Sequence, residues 1–117
     1  MNKRQTGSYY EERATQFLKE QGMTVLERNF RCRQGEIDII GKDKDSLVFV
    51  EVKFRTGDNC GSPFHAVGSA KQKVISRVAM YYLTSRCRNT DIPCRFDVIG
   101  IEGNKITWLQ NAFDYRL

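Results

Sequence analysis

The stretch Leu47-Val48-Phe49-Val50-Glu51-Val52-Lys53-Phe54 constrains this chain more than any other. Its β-branched and aromatic residues mark a strand. Side chains alternate along a strand, so Val48, Val50, Val52 and Phe54 share one face and Leu47, Phe49, Glu51 and Lys53 the other. The strand reads as buried on both faces, yet one face ends in an acid and a base. Burying such groups costs several kcal/mol unless they are paired or bound to a metal.

Asp38 supplies a reason for the pair. It interrupts the apolar run Ile37, Ile39 and Ile40 on the preceding strand, which the polar segment Gly41-Lys42-Asp43-Lys44-Asp45 folds back as a hairpin. A turn centred near Asp43-Lys44 pairs Asp38 with Phe49 and sets it diagonally from Glu51. A register shifted by two pairs Asp38 directly with Glu51. Either way the two carboxylates share a face, roughly 5 to 8 Å apart at Cβ. A cation taking one oxygen from each fits that gap, because magnesium–oxygen bonds are about 2.1 Å. Magnesium keeps waters and binds through one or two carboxylates plus substrate phosphate, which it polarises. Lys53 lies on the same face, where it can orient a water or stabilise charge on the phosphate. The Val52 carbonyl is a candidate extra ligand.

Around this hairpin the pattern gives an α/β domain. Tyr10, Ala14, Phe17 and Leu18 recur at helical spacing between Thr6 and Gln21, and Gly22 stops the helix. Met23–Arg31 reads as a strand, Glu36–Ile40 as a second and Ser46–Phe54 as the third. Arg55–Pro63 is a loop containing glycine and proline. Ser69-Ala70-Lys71-Gln72 has the form of a capping box, and the helix it opens runs to about Ser85 with Val74, Val78, Tyr81 and Tyr82 inward. Strands at Cys94–Ile101 and Lys105–Leu109 close the chain. The order is α-β-β-β-α-β-β, with helices packed on a central mixed sheet.

Length, charge and cysteine usage narrow the function classes. The 117 residues suffice for one domain, 1–117, and not for two ordinary ones. No apolar run is long enough to span a membrane, and the polar start Met1-Asn2-Lys3-Arg4 lacks the apolar stretch of a signal peptide. The expected location is the cytoplasm. A net charge of +5 favours polyanions such as nucleic acid. Cys32, Cys60, Cys87 and Cys94 lack the spacing of a zinc knuckle and read as unpaired thiols. With His65 the only histidine, a histidine-based triad or a two-histidine metal site is nearly excluded, and His65 reads as a loop residue, with a lone general base as the alternative.

The set Gly35-Glu36-Ile37-Asp38-Ile39-Ile40, followed by Val48-Phe49-Val50-Glu51-Val52-Lys53-Phe54-Arg55, resembles the PD-(D/E)xK motif of restriction endonucleases and archaeal Holliday-junction resolvases. More specifically it is similar to the YraN-like bacterial family, as are Glu11-x-x-Ala14-x-x-Phe17-Leu18, Lys71 at the second helix and Arg95-Phe96-Asp97-Val98-Ile99. The likeness runs from about Gly7 to Phe113. It implies a restriction-endonuclease-like fold with Asp38, Glu51 and Lys53 as the acid, acid and lysine of the motif, although Ile37 stands where the motif has proline. It also implies that Glu11 can point into the site from the first helix, and it allows a homodimer, since resolvase-like nucleases often act as dimers.

Bland readings stand beside these. Asp38, Glu51 and Lys53 alternatively form a structural ion-pair cluster. Ser8-Tyr9-Tyr10-Glu11 is also a capping box, so Glu11 is a site residue, a helix cap or both. Glu36 reads as solvated, and Asp97 as a structural pairing or a catalytic acid. Lys71 is a phosphate contact near a helix N-terminus or a solvated lysine. Arg33, Arg55 and Lys73, with Arg28, Arg31 and Arg77, form a phosphate-tracking surface or merely confer solubility. Tyr9, Tyr10, Tyr81 and Tyr82 read as core packing. The resulting expectation is an Mg²⁺-dependent endonuclease, with Mn²⁺ as substitute, acting on DNA that is branched or damaged. Its alternatives are a nucleic-acid-binding module that does not cut and a protein–protein adaptor.

Overall fold

Asn2 starts the first helix, α1 (Lys3–Glu20), through a reciprocal cap: its Oδ1 accepts the Gln5 N–H at 2.8 Å and Gln5 Oε1 accepts the Asn2 N–H at 3.1 Å. The computed structural model describes residues 2–55 and 66–117. Cys60, His65 and most of the expected loop Arg55–Pro63 lie outside the described residues. Because α1 begins at Lys3, Ser8 sits inside it and cannot cap it, which corrects the capping-box reading of Glu11. Gly22, with φ at 98°, ends the element.

Among the described residues five strands follow: β1 (Thr24–Cys32), β2 (Gly35–Asp43), β3 (Ser46–Arg55), β4 (Cys94–Glu102) and β5 (Lys105–Phe113). They form one sheet in chain order. β3 and β4 are parallel, joined through helix α2 (Ser69–Tyr82), and every other neighbouring pair is antiparallel. This is the expected α-β-β-β-α-β-β mixed sheet between helices. No helix among the described residues is long and apolar enough to cross a membrane.

The alternation read along β3 sorts its side chains into two cores. Val48 and Val50 pack with Ala14 and Leu18 of α1 and with Ile39, Ile99 and Ile101. Leu47 and Phe49 pack on the opposite face with Ile75, Val78, Ala79 and Tyr82 of α2. Glu51 and Lys53 continue the α2 face. On α2 the inward residues are Ile75, Val78, Ala79 and Tyr82, while Tyr81 is 44% exposed, so its expected place in the core is corrected. Tyr9 is likewise exposed. The cap of α2 is corrected too: its N-cap is Gly68 without a side-chain bond, and Gln72 donates to the Val67 carbonyl instead.

The hairpin between β2 and β3 turns on Lys44 and Asp45 alone, with Lys44 in the left-handed region (φ 56°). That moves the turn centre one residue beyond the expected one. Ile40 therefore faces Phe49 and Ile39 faces Val50, so the register that pairs Asp38 with Phe49 is excluded. Continuing the observed register by one step brings Asp38 opposite Glu51.

Candidate functional site

Strand pairing between β2 and β3 stops at Ile39 and Val50. The next residue on each strand is a carboxylate. Asp38 holds the opening in place: its Oδ2 accepts the Val52 backbone N–H at 2.8 Å, in the position a strand carbonyl would otherwise take. On its other side the β1–β2 ladder resumes only beyond Asn29, which adopts a left-handed φ of 53°. Asp38 thus occupies a gap in the pairing on both sides, and its side chain replaces part of the missing backbone bonding.

Glu51 is half-buried beside it. Burial, then a hydrogen bond with and repulsion from Asp38, push its carboxyl up to about 8, against the pull of Lys71. Lys71 reaches in from the first turn of α2, its Nζ 3.6 Å from Glu51 Oε2. Lys53 donates from its amine to the Ala66 carbonyl, just ahead of α2. Glu51, Lys53 and Lys71 line one open cavity of about 320 Å³, together with Val52, Phe54, Val67 and Gly68.

Glu11 approaches from α1. Its carboxyl is raised by burial first and by Asp38 second, with Arg28 opposing. Arg28 Nε lies 3.7 Å from Glu11 Oε1, too far for a hydrogen bond, and that buried oxygen has no hydrogen-bond partner among the described residues. Arg28 makes its close contact with Glu12 at 2.7 Å. An unsatisfied buried carboxylate oxygen is costly.

The donor chemistry fits a hard cation. Asp38 and Glu51 crowd two negative groups that a divalent ion would neutralise, and oxygen donors without sulfur or imidazole suit magnesium or manganese. Among the described residues no three His, Cys, Asp or Glu side chains converge as a cation cage, so an ion here would keep several waters.

The remaining sequence-derived residues fall elsewhere. Arg33 is exposed in the turn between β1 and β2, and Lys73 on the outer side of α2; neither lines the cavity. Arg55 is half-buried at the end of β3. Glu36 is ion-paired to Arg31 at 2.9 Å on edge strand β1. Asp97 is fully buried and bonded to Arg95, to the Trp108 Nε1 and to the Asn111 N–H at 2.9 to 3.1 Å. Its structural reading holds. Sequence reasoning missed the placement of Arg28 against Glu11, because nothing in the periodicity of β1 shows which helix covers it.

Sheet order, helix placement and the break between β2 and β3 define an α/β protein of restriction-endonuclease-like fold. The chain belongs to Uncharacterised protein family UPF0102, whose model matches residues 10–101. UPF0102 proteins of Nitrosomonas eutropha and Lachnoclostridium phytofermentans are 50% and 45% identical to it, covering 92% and 97% of both chains. That of Alcanivorax borkumensis is 40% identical over 96% of this chain and 94% of its own.

Proposed function

We propose that this protein is a divalent-metal-dependent endonuclease that hydrolyses DNA phosphodiester bonds. The observation that carries the reading is the meeting of Asp38 and Glu51 where β2 and β3 part, which leaves Glu51 with a carboxyl near 8 in the absence of a cation. Stability alone would favour removing that repulsion. Two crowded carboxyls bordered by lysines suit a site that takes up a cation and a phosphate together.

Asp38 and Glu51 would hold the ion, Mg²⁺ or Mn²⁺. The Val52 carbonyl is a further ligand candidate, since the Asp38 bond fixes its neighbouring N–H. When bound, the ion supplies polarisation of the scissile phosphate and a more acidic water. Lys53 orients that water, and Lys71, freed from Glu51, meets the phosphate charge. Glu11 adds negative charge beside Asp38. Arg33, Arg55 and Lys73 extend the phosphate contacts along the strand. Branched or damaged DNA and a homodimeric assembly come with the likeness to resolvases and belong to the same proposal.

The test is incubation with Mg²⁺ or Mn²⁺ and a panel of linear duplex, single strand, flap and four-way junction. Folded Glu51→Ala and Lys53→Ala proteins run beside the parent. Metal-dependent cleavage lost in both variants supports the proposal. Salt-dependent binding without cleavage makes the non-cutting nucleic-acid module the better account. If neither occurs and Glu51→Ala mainly destabilises, the acids and lysines are structural.

A further inference from the structure

The outer side of α2 carries exposed residues that neither core uses. Lys73, Arg77 and Tyr81 recur every four residues along it, which sets them in one stripe. Neither Lys73 nor Arg77 takes part in an ion pair with a described residue. Toward the C-terminal end of the helix the stripe enters an open groove of about 320 Å³, lined by Gln34, Arg77, Met80, Tyr81, Thr84 and Tyr115. Tyr81 and Tyr115 are each 44% exposed.

The groove wall is built rather than incidental. The chain beyond β5 has no regular structure, yet it is tied to α2 because the Arg116 N–H donates to Ser76 Oγ at 2.9 Å. Ser76 is fully buried, so a core position is occupied by a hydroxyl that holds this tail. Tyr115, the residue before Arg116, is thereby kept at the groove. Tyr81, also at the groove, stands beside Phe30, their ring centres 6.2 Å apart. Two phenol rings, one arginine and the Gln34 amide then surround a space open to solvent.

We infer that this groove binds an unpaired nucleobase of the substrate strand, so that the enzyme's preferred substrate has a single-stranded stretch beside the cut. The inference rests on the nuclease reading and names the substrate class of that site. Aromatic rings with a neighbouring guanidinium take bases of any sequence by stacking. Lys73 and Arg77 supply the charge that a phosphate backbone needs. Along the helix Tyr81 lies ten residues from Lys71, about 15 Å, a span of a few nucleotides. The backbone would leave the cavity at Lys71, pass Arg77 at the groove, and place one base at Tyr81 and Tyr115. Paired bases are stacked within their duplex and cannot enter, which gives the groove its discrimination.

Fluorescence anisotropy with a labelled single-stranded oligothymidine and a duplex of equal length tests this in metal-free buffer, where cutting plays no part. The full chain is compared with Tyr81→Ala, Tyr115→Ala and Tyr81→Phe, each checked for its circular dichroism spectrum and melting. Each alanine change is expected to weaken single-strand binding about tenfold and to leave duplex binding within about twofold. Tyr81→Phe retains single-strand affinity, because stacking needs the ring and not the hydroxyl. Unchanged single-strand affinity in both alanine variants, or equal losses on single strand and duplex, overturns the groove while leaving the nuclease reading intact. If the parent binds neither DNA, this inference falls, while the cleavage assay with Mg²⁺ or Mn²⁺ decides the nuclease reading separately.

Discussion

A glutamate ordinarily ionises near 4.5, and at Glu51 burial and the Asp38 carboxyl move that transition up to about 8. Between those values the folded chain holds a proton that the unfolded chain has released. The associated stability is complete below about 4.5 and is lost as pH rises through about 8. The metal-free melting temperature is therefore expected to fall between about pH 5 and about pH 8.5, and Glu51→Gln to flatten that slope. A slope equally steep in Glu51→Gln would assign the effect elsewhere. Glu51 and Lys53 were legible in the sequence because charge on an otherwise apolar strand needs a partner. Glu11 was ambiguous, since Ser8-x-x-Glu11 imitates a cap; the actual box, Asn2-x-x-Gln5, lies ahead of the apolar periodicity that located the helix. Lys71 could be placed near the site, but its pairing with Glu51 depends on how α2 sits against β3, which helical spacing does not encode.

Between elements, two buried devices fix the frame that carries the site. Asp97 links Arg95 on its own strand to Trp108 and Asn111 on β5, and Arg95 passes the link to Asp43 at 2.9 Å. Removing one partner of a buried charged network leaves the others unpaired, so Asp97→Ala should cost about 3 to 5 kcal/mol in urea unfolding. A loss under about 1 kcal/mol would show the network to be incidental. At the β1–β2 turn Gly35 has φ at 149°, and a Cβ there would lie 2.6 Å from Val74 Cγ1 of α2. Gly35→Ala combines strain with a clash and should cost about 2 to 4 kcal/mol by the same measurement; near-neutrality would mean that α2 yields. The strand cores were readable from alternation and β-branching. Ends were less so: β5 continues to Phe113, beyond the expected Leu109, because Phe113 stacks on Phe96 with ring centres 4.9 Å apart. The polar Gln110 and Asn111 conceal that continuation.

For the molecule as a whole, element order was readable because periods of two and of 3.6 residues alternate clearly along the chain. The parallel β3–β4 pairing, with Glu51 beside Val98, is a long-range contact, and no local pattern sets its register. The same limit left two hairpin registers open until the turn at Lys44 and Asp45 selected one. What the assembled sheet adds is a gap on both sides of Asp38, approached by Glu51, Glu11 and the lysines of β3 and α2. The central claim is that Asp38 and Glu51 together hold a divalent cation. Titration of Mn²⁺ into the protein, followed by electron paramagnetic resonance at about pH 8, tests it without any need for a substrate. The account predicts one saturable site per chain, lost in both Asp38→Asn and Glu51→Gln while both variants remain folded. Mn²⁺ binding that is absent from the parent, or unchanged in the two variants, would contradict it.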